Sequence, residues 1–204
     1  MNGLFNSARL HKIVSAPLTS FQEYGEVLDT GGRGQLVYID RGASILGIAH
    51  LDSVGWTSHF DELRWRKGWT IFTEGLDDRL GAYILLELLP AMGINCDVLL
   101  TEDEESCNST AQYFVPTKDY NWMFQFDRAG IDVVTYDYED DELNDRLTNV
   151  GFINGWGSYS DICEMESLGI KGINFGTGYY DNHLRCSHMV VADTMMMVGI
   201  FAKF

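Results

Sequence analysis

Apolar and polar positions along this chain fall into blocks that switch between a period of two and a helical period. QLVYID (35–40) and ASILGIAHLD (43–52) read as strands, separated by an Arg41-Gly42 turn. ELRWR (62–66) and WTIFT (69–73) are shorter strands with Lys67-Gly68 as the turn between them. From Leu76 to Leu89 the apolar residues run nearly all round, as in a helix packed on a sheet. Asp77 and Asp78 at its head suit both an N-cap and the helix dipole. Asn95–Thr101 reads as a buried strand, Ser106–Phe114 as a short helix and Trp122–Phe126 as a strand followed at once by Asp127. Val133–Tyr136 is a further strand candidate, and Asp140–Val150 and Ser160–Leu168 are helical, the second with Ser160-Asp161 as its cap. Lys171–Phe175 is a strand and Met189–Phe204 a closing helix. The first residues (3–29) are helical in part and end in the turn Thr30-Gly31-Gly32-Arg33-Gly34. Strands alternate with helices, so the expected fold is a three-layer α/β/α sandwich with a mixed, largely parallel central sheet.

Composition narrows the function classes. The chain has 204 residues, 46% of them apolar, enough for a full core. A formal net charge of -16 argues against nucleic acid and anionic membrane surfaces as partners. Cys96, Cys107, Cys163 and Cys186 form no CxxC pair and read as free thiols of a reducing compartment. MNGLFNSARLHKIV lacks a signal-peptide pattern, and no apolar stretch reaches the ~18 residues of a transmembrane helix. A soluble, cytoplasmic protein is expected.

Polar residues gather where the strands end, the place where sites form in such sheets. His50 ends SILGIAH and Asp52 follows; Asp77 opens the long helix. VLLTEDEESC (98–107) carries an apolar strand into four consecutive carboxylates, a repulsion that a cation would relieve. Asp127 follows WMFQF and His183 lies in GYYDNH after KGINF. His and carboxylate together are ligands for zinc and its first-row neighbours.

The order His-x-Asp, Asp-Asp-x-x-Gly, Glu-Glu, Asp, His resembles the co-catalytic metallo-exopeptidases, which include the zinc aminopeptidases and the related dinuclear carboxypeptidases and deacylases. AHLDSVG, LDDRLGA and LLTEDEESC carry the likeness, and LDDRLG is similar to the DDRxG segment of the tetrahedral and glutamyl aminopeptidases. The resemblance implies a zinc-exopeptidase-like fold and two divalent metal ions, zinc first, cobalt or manganese otherwise. It implies that Asp77 bridges both ions, that His50 and Asp127 complete one site, and that Glu105 and His183 complete the other. Glu104 would be the general base, Asp52 would fix the tautomer of His50, and Asp78 would shape the backbone after the bridge. His188 is the other candidate for the last ligand; His183 is favoured because GYYDNH follows its strand closely. Cys107 stands near a position where relatives often have Gly and is expected to be a buried small residue.

His50 and Asp77 are 27 positions apart, and Asp127 and His183 are 56 apart, too few for an inserted domain. A single catalytic domain over 1–204, without a separate lid or dimerisation domain, is expected. The implied activity is an aminopeptidase acting on short peptides, with a homo-oligomer left open. A metal-dependent deacylase or amidase on the same scaffold and a non-catalytic metal-binding protein are the alternatives. A thiol enzyme using Cys107 or Cys186 would leave the carboxylates unexplained. GWGSYSD (155–161) lacks the spacing of a nucleophile elbow, GTG (176–178) lacks the Lys of a phosphate loop, and Met195–Met197 reads as core packing.

Overall fold

A computed structural model describes residues 4–54, 69–73, 75–77 and 79–204, and the backbone of 64–66. Among the described residues, eleven strands follow in chain order: β1 (Glu26–Val27), β2 (Val37–Ile39), β3 (Ile45–His50), β4 (Arg64–Arg66), β5 (Thr70–Phe72), β6 (Asp97–Thr101), β7 (Trp122–Arg128), β8 (Val133–Val134), β9 (Lys171–Gly176), β10 (Tyr179–Tyr180) and β11 (His188–Val190). Seven of them form one sheet in the order β1-β2-β6-β3-β7-β9-β8. Its centre is parallel, β6 and β7 flanking β3 and β9 lying beside β7, and its edges are antiparallel. This is the mixed, largely parallel sheet of a three-layer sandwich.

Alternation explains the layers. Val98 and Leu100 face one side with Phe124, Phe126, Ile173 and Phe175, while Leu99, Leu46, Ile48 and Met123 face the other. The first face is covered by α1 (Ser7–Val14), by the helix that runs through α2 (Arg79–Tyr83), a π turn (Ile84–Leu88) and α3 (Leu89–Ala91), and by α4 (Asp141–Val150) and α5 (Val191–Phe201). Gly47 in β3 allows this close approach: a Cβ there would stand 2.6 Å from a Leu85 methyl. The second face is covered by 3-10 turns at Thr110–Tyr113 and Asp161–Leu168.

Several local expectations are revised. The segment read as a helix over Ser106–Phe114 is two short 3-10 turns, Glu104–Ser106 and Thr110–Tyr113. Ser160–Leu168 is 3-10 rather than α, and Ser160 makes no side-chain cap. The closing helix begins at Val191, because His188–Val190 pairs with β5 as a strand. Met195 and Met197 are buried as expected, but Met196 is exposed. β4, β5, β10 and β11 make a second, antiparallel sheet from the segments before Asp77 and around His183. The turn assigned to Lys67-Gly68 lies outside the described residues. Among the described residues, no helix is long and apolar enough to cross a membrane.

Candidate metal centre

The parallel strands β3, β6 and β7 end at the same edge, so their terminal polar residues converge. His50 is the last residue of β3 and pairs in register with Thr101, the last of β6. Asp127 sits at a register shift between Phe126 and Arg128 in the β7–β9 ladder. It therefore lies within the strand at a bulge, not after it as the sequence reading had it, and a bulge re-aims a side chain. Asp77 lies in a turn two residues before α2, and the turn after β6 delivers Glu104 and Glu105.

Donor atoms of His50, Asp77 and Asp127 lie within 4.8 Å of one another, and so do those of Asp77, Glu105 and His183. Asp77 belongs to both groups through different oxygens. Its Oδ1 is 3.6 Å from His50 Nε2, and its Oδ2 is 3.5 Å from His183 Nε2. His50 Nε2 is also 3.3 Å from Asp127 Oδ1 and 3.8 Å from Glu104 Oε2. His183 Nδ1 stands 3.7 Å from Glu105 Oε1. His188 is elsewhere: its Nδ1 donates to the Cys186 carbonyl at 3.0 Å, and its ring stacks on Phe72.

His50 Nδ1 is 2.9 Å from the Asp52 carbonyl. A carbonyl only accepts, so Nδ1 carries a proton, and Nε2 is the ring nitrogen that faces the carboxylates. This is the orientation a metal-binding imidazole needs. The sequence reading gave the task to the Asp52 carboxylate. That group is 3.4 Å from Nδ1, while its Oδ2 accepts the Glu105 backbone N–H at 3.2 Å. Asp78 lies outside the described residues.

The electrostatics are unbalanced without a cation. Among the described residues, no lysine or arginine is ion-paired to Asp52, Asp77, Glu104, Glu105 or Asp127. Burial pushes Glu104 up to about 9, with Asp127, Asp161 and Glu105 adding to it against the pull of His50. Glu105 is raised by burial and by Asp77. Burial would lower His50, but Asp127, Asp52 and Asp77 hold it well above its ordinary value. Two divalent cations would balance the charges of Asp77, Glu104, Glu105 and Asp127, and the nitrogen and oxygen donors suit zinc, cobalt or manganese. The residues present fit such a pair.

The turn that carries Glu104 and Glu105 is tight. It is bracketed by Asp103 at φ 65° and Cys107 at φ 53°, left-handed conformations uncommon for residues with a side chain. Cys107 is exposed, not buried as expected; the position asks for the backbone freedom of glycine. Glu102, which had no assigned role, is buried and accepts from both the backbone N–H and the side-chain amide of Gln35, each at 2.8 Å.

Three residues that the sequence reading left out of the site support it. Asn174 Nδ2 donates to Asp127 Oδ2 at 3.2 Å. Arg79, fully buried, donates to the carbonyls of Leu51, Ile13 and Ala16, tying the end of α1 to the chain just after His50. Asp161 is fully buried and accepts from Thr101, Ser109 and Gln125. The available signal was polarity in the wrong place: Gln125 and Asn174 interrupt apolar strands, and both are buried.

No protein-family model and no curated protein matches the sequence. Among solved structures, aminopeptidase PepT from Bacillus cereus is similar, with 13% identity, 98% of each chain covered and a TM-score of 0.69. A tripeptidase from Staphylococcus aureus has 11% identity over 98% of this chain and 97% of its own, also at 0.69. The TET1 peptidase of Pyrococcus horikoshii, which assembles into a tetrahedron or an octahedral shell, has 10% identity over 96% and 97%, with a TM-score of 0.60. At these identities the likeness is one of fold: the chain shares the three-layer α/β/α sandwich of these peptidases.

Proposed function

We propose that the chain is a metal-dependent hydrolase, an aminopeptidase that cleaves short peptides with a water activated between two divalent ions. One observation carries the reading: Asp77 belongs to two donor groups and offers a separate oxygen to each. His50 and Asp127 would complete one site, Glu105 and His183 the other. Zinc is the first choice of metal.

Such a pair of ions supplies Lewis-acid polarisation of a carbonyl and a water of lowered pKa. Glu104 is the general base: it takes the proton of the attacking water and returns it to the leaving amine. Its place in a tight turn beside Glu105 holds its Oε2 3.8 Å from His50 Nε2, next to the residues that would hold the ions. The Asp52 carbonyl keeps His50 in one tautomer, and Asn174 keeps Asp127 in one rotamer. The peptidase neighbours support the substrate class. The assembly of the P. horikoshii neighbour supports self-association here, and four free cysteines suit a reducing, cytoplasmic setting. A single catalytic domain over 1–204 belongs to the same reading.

The test is hydrolysis of a panel of aminoacyl anilides and dipeptides by the native chain and by Glu104→Gln. The native chain should turn over substrates with a free amino terminus. Glu104→Gln should lose roughly 10²–10⁴ in kcat with its ions retained. Turnover of N-acylated amino acids alone would select the deacylase instead. Turnover unchanged in the variant would remove Glu104 from its role.

A further inference from the structure

Asp161 is the most deeply buried carboxylate near the metal centre, and the proposed chemistry does not use it. Its side chain is fully enclosed on the second face of the sheet, and among the described residues no lysine or arginine is ion-paired to it. Instead, three neutral donors point at it. Thr101 Oγ1 donates to Oδ1 at 2.9 Å, the shorter of its two contacts, the other being the Ala49 carbonyl at 3.3 Å. Ser109 Oγ donates to the same Oδ1 in a short hydrogen bond. Gln125 Nε2 donates to Oδ2 at 2.7 Å.

The identity of the donors matters more than their number. Thr101 and Ser109 are the two ends of the segment that carries Glu104 and Glu105. Gln125 is two residues before Asp127 on β7, in the stretch of strand that leads into the bulge. Ser109 passes the constraint on, since its Oγ accepts from the Ala111 backbone N–H at 3.0 Å. Between those ends the turn makes local bonds, among them Cys107 N–H to the Glu104 carbonyl at 2.8 Å and Asn108 N–H to the Asp103 carbonyl at 3.1 Å, and is tied to the rest of the chain by Gln35 on Glu102 and by Asp52, whose Oδ2 accepts the Glu105 N–H at 3.2 Å. Two left-handed residues inside it resist that shape. A turn of this kind keeps its geometry when its ends are fixed from outside.

We propose that Asp161 is a positioning residue that locks both ends of the Thr101–Ser109 segment and ties it to the strand bearing Asp127. The inference rests on the reading of Glu104 as base and of Glu105 and Asp127 as ligands. The role is geometric and does not require the negative charge. Among the described residues, Gln125 Oε1 has no hydrogen-bond partner, so its amide can rotate. An asparagine at 161 would then accept from Thr101 and Ser109 through its oxygen and donate to the rotated Gln125. An alanine would release all three.

The experiment compares Asp161→Ala, Asp161→Asn and Ser109→Ala by amide hydrogen exchange on the metal-free protein, and by kcat and KM on the loaded one. In Asp161→Ala the amides of Cys107, Asn108 and Thr110 should exchange at least ~10-fold faster while those of α5 are unchanged, a local opening. Ser109→Ala, which leaves Asp161 bound to Thr101 and Gln125, should loosen the same amides, and it decides the matter if Asp161→Ala does not fold. Asp161→Asn should exchange like the native chain. In the loaded enzyme, Asp161→Ala should lose about 100-fold in kcat with KM within about threefold, as a misplaced base and ligand would. Asp161→Asn should recover to within about fivefold of native. Unchanged exchange over 102–110 in the folded variants would overturn the inference. So would an Asp161→Asn variant as impaired as Asp161→Ala, since charge and not geometry would then be at work. If the native chain hydrolyses no peptide, the proposed function fails, and the exchange data alone still decide the role of Asp161.

Discussion

Asn174 holds Asp127 at two points: its Nδ2 donates to the Asp127 Oδ2 at 3.2 Å, and its Oδ1 accepts the Asp127 backbone N–H at 3.1 Å. It also accepts the Arg128 N–H at 3.2 Å, so one amide satisfies the backbone that the bulge takes out of the ladder. Side chain and bulge are thereby fixed together, with Oδ1 left facing His50.

This makes Asn174 a sensitive point for cation affinity. Asn174→Ala should weaken binding at the His50–Asp77–Asp127 group by about 10–100-fold, the usual effect of removing a partner behind a ligand. Asn174→Asp should be worse, because it sets a second carboxylate against Asp127. Competition with a chromophoric chelator measures both. Affinity equal to native in Asn174→Ala would show that the bulge alone orients Asp127.

The two halves of the site should also let go of their ions unequally. The His50 side chain is 1% exposed, whereas that of His183 is 39% exposed. His183 further sits in a loop with left-handed φ at Asp181 (56°) and at His183 itself (60°). A chelator should remove one ion per chain much faster than the other. His183→Ala should keep about one ion per chain, held by the buried group. Equal release rates would count against the difference in burial as the cause.

Acid stability is set away from the site, at the start of β6. Asp97 is fully buried and accepts from Tyr38 Oη, Tyr120 Oη and the backbone N–H groups of Arg41 and Ala43, with Lys118 Nζ at 2.6 Å. Burial alone would raise its pKa, but Lys118, Tyr120 and the two backbone donors hold it well below the usual carboxylate range. A depressed folded pKa contributes stability above the unfolded value of about 3.9, and that contribution is lost as the pH falls through the folded value. Asp97→Asn should therefore cost about 3 kcal/mol at pH 7 and progressively less below about pH 4. Urea midpoints at pH 7 and pH 3 test this. A difference that does not shrink in acid would mean that packing, not charge, is what the substitution removes.

What the sequence made legible follows from where the physics is local. SILGIAH and CDVLLT read as strands because buried central strands are nearly continuous apolar runs. His50, Asp77, Glu105 and Asp127 stood out because charge at the end of such a run is costly without a partner. The shape of the loop at 102–114 was not legible, since its turns answer to Gln35, Asp52 and Asp161, distant in sequence. Cys107 reads as a small buried residue until its left-handed backbone is seen. Val190 and Val191 are alike as residues, yet Val190 is the last residue in register with β5 and Val191 opens a helix. Asn174 and Gln125 were absorbed into apolar strands, although a buried amide is a sign that something polar lies beside it.

The central claim is that Asp77 bridges two cations. It is tested most directly by counting divalent metal ions per chain, by elemental analysis after dialysis against zinc, in the native protein and in Asp77→Ala. The account predicts about two ions per native chain and loss of both sites from high affinity in the variant, since each donor group contains Asp77. Two ions retained in Asp77→Ala, or no ion bound by the native chain, would contradict it.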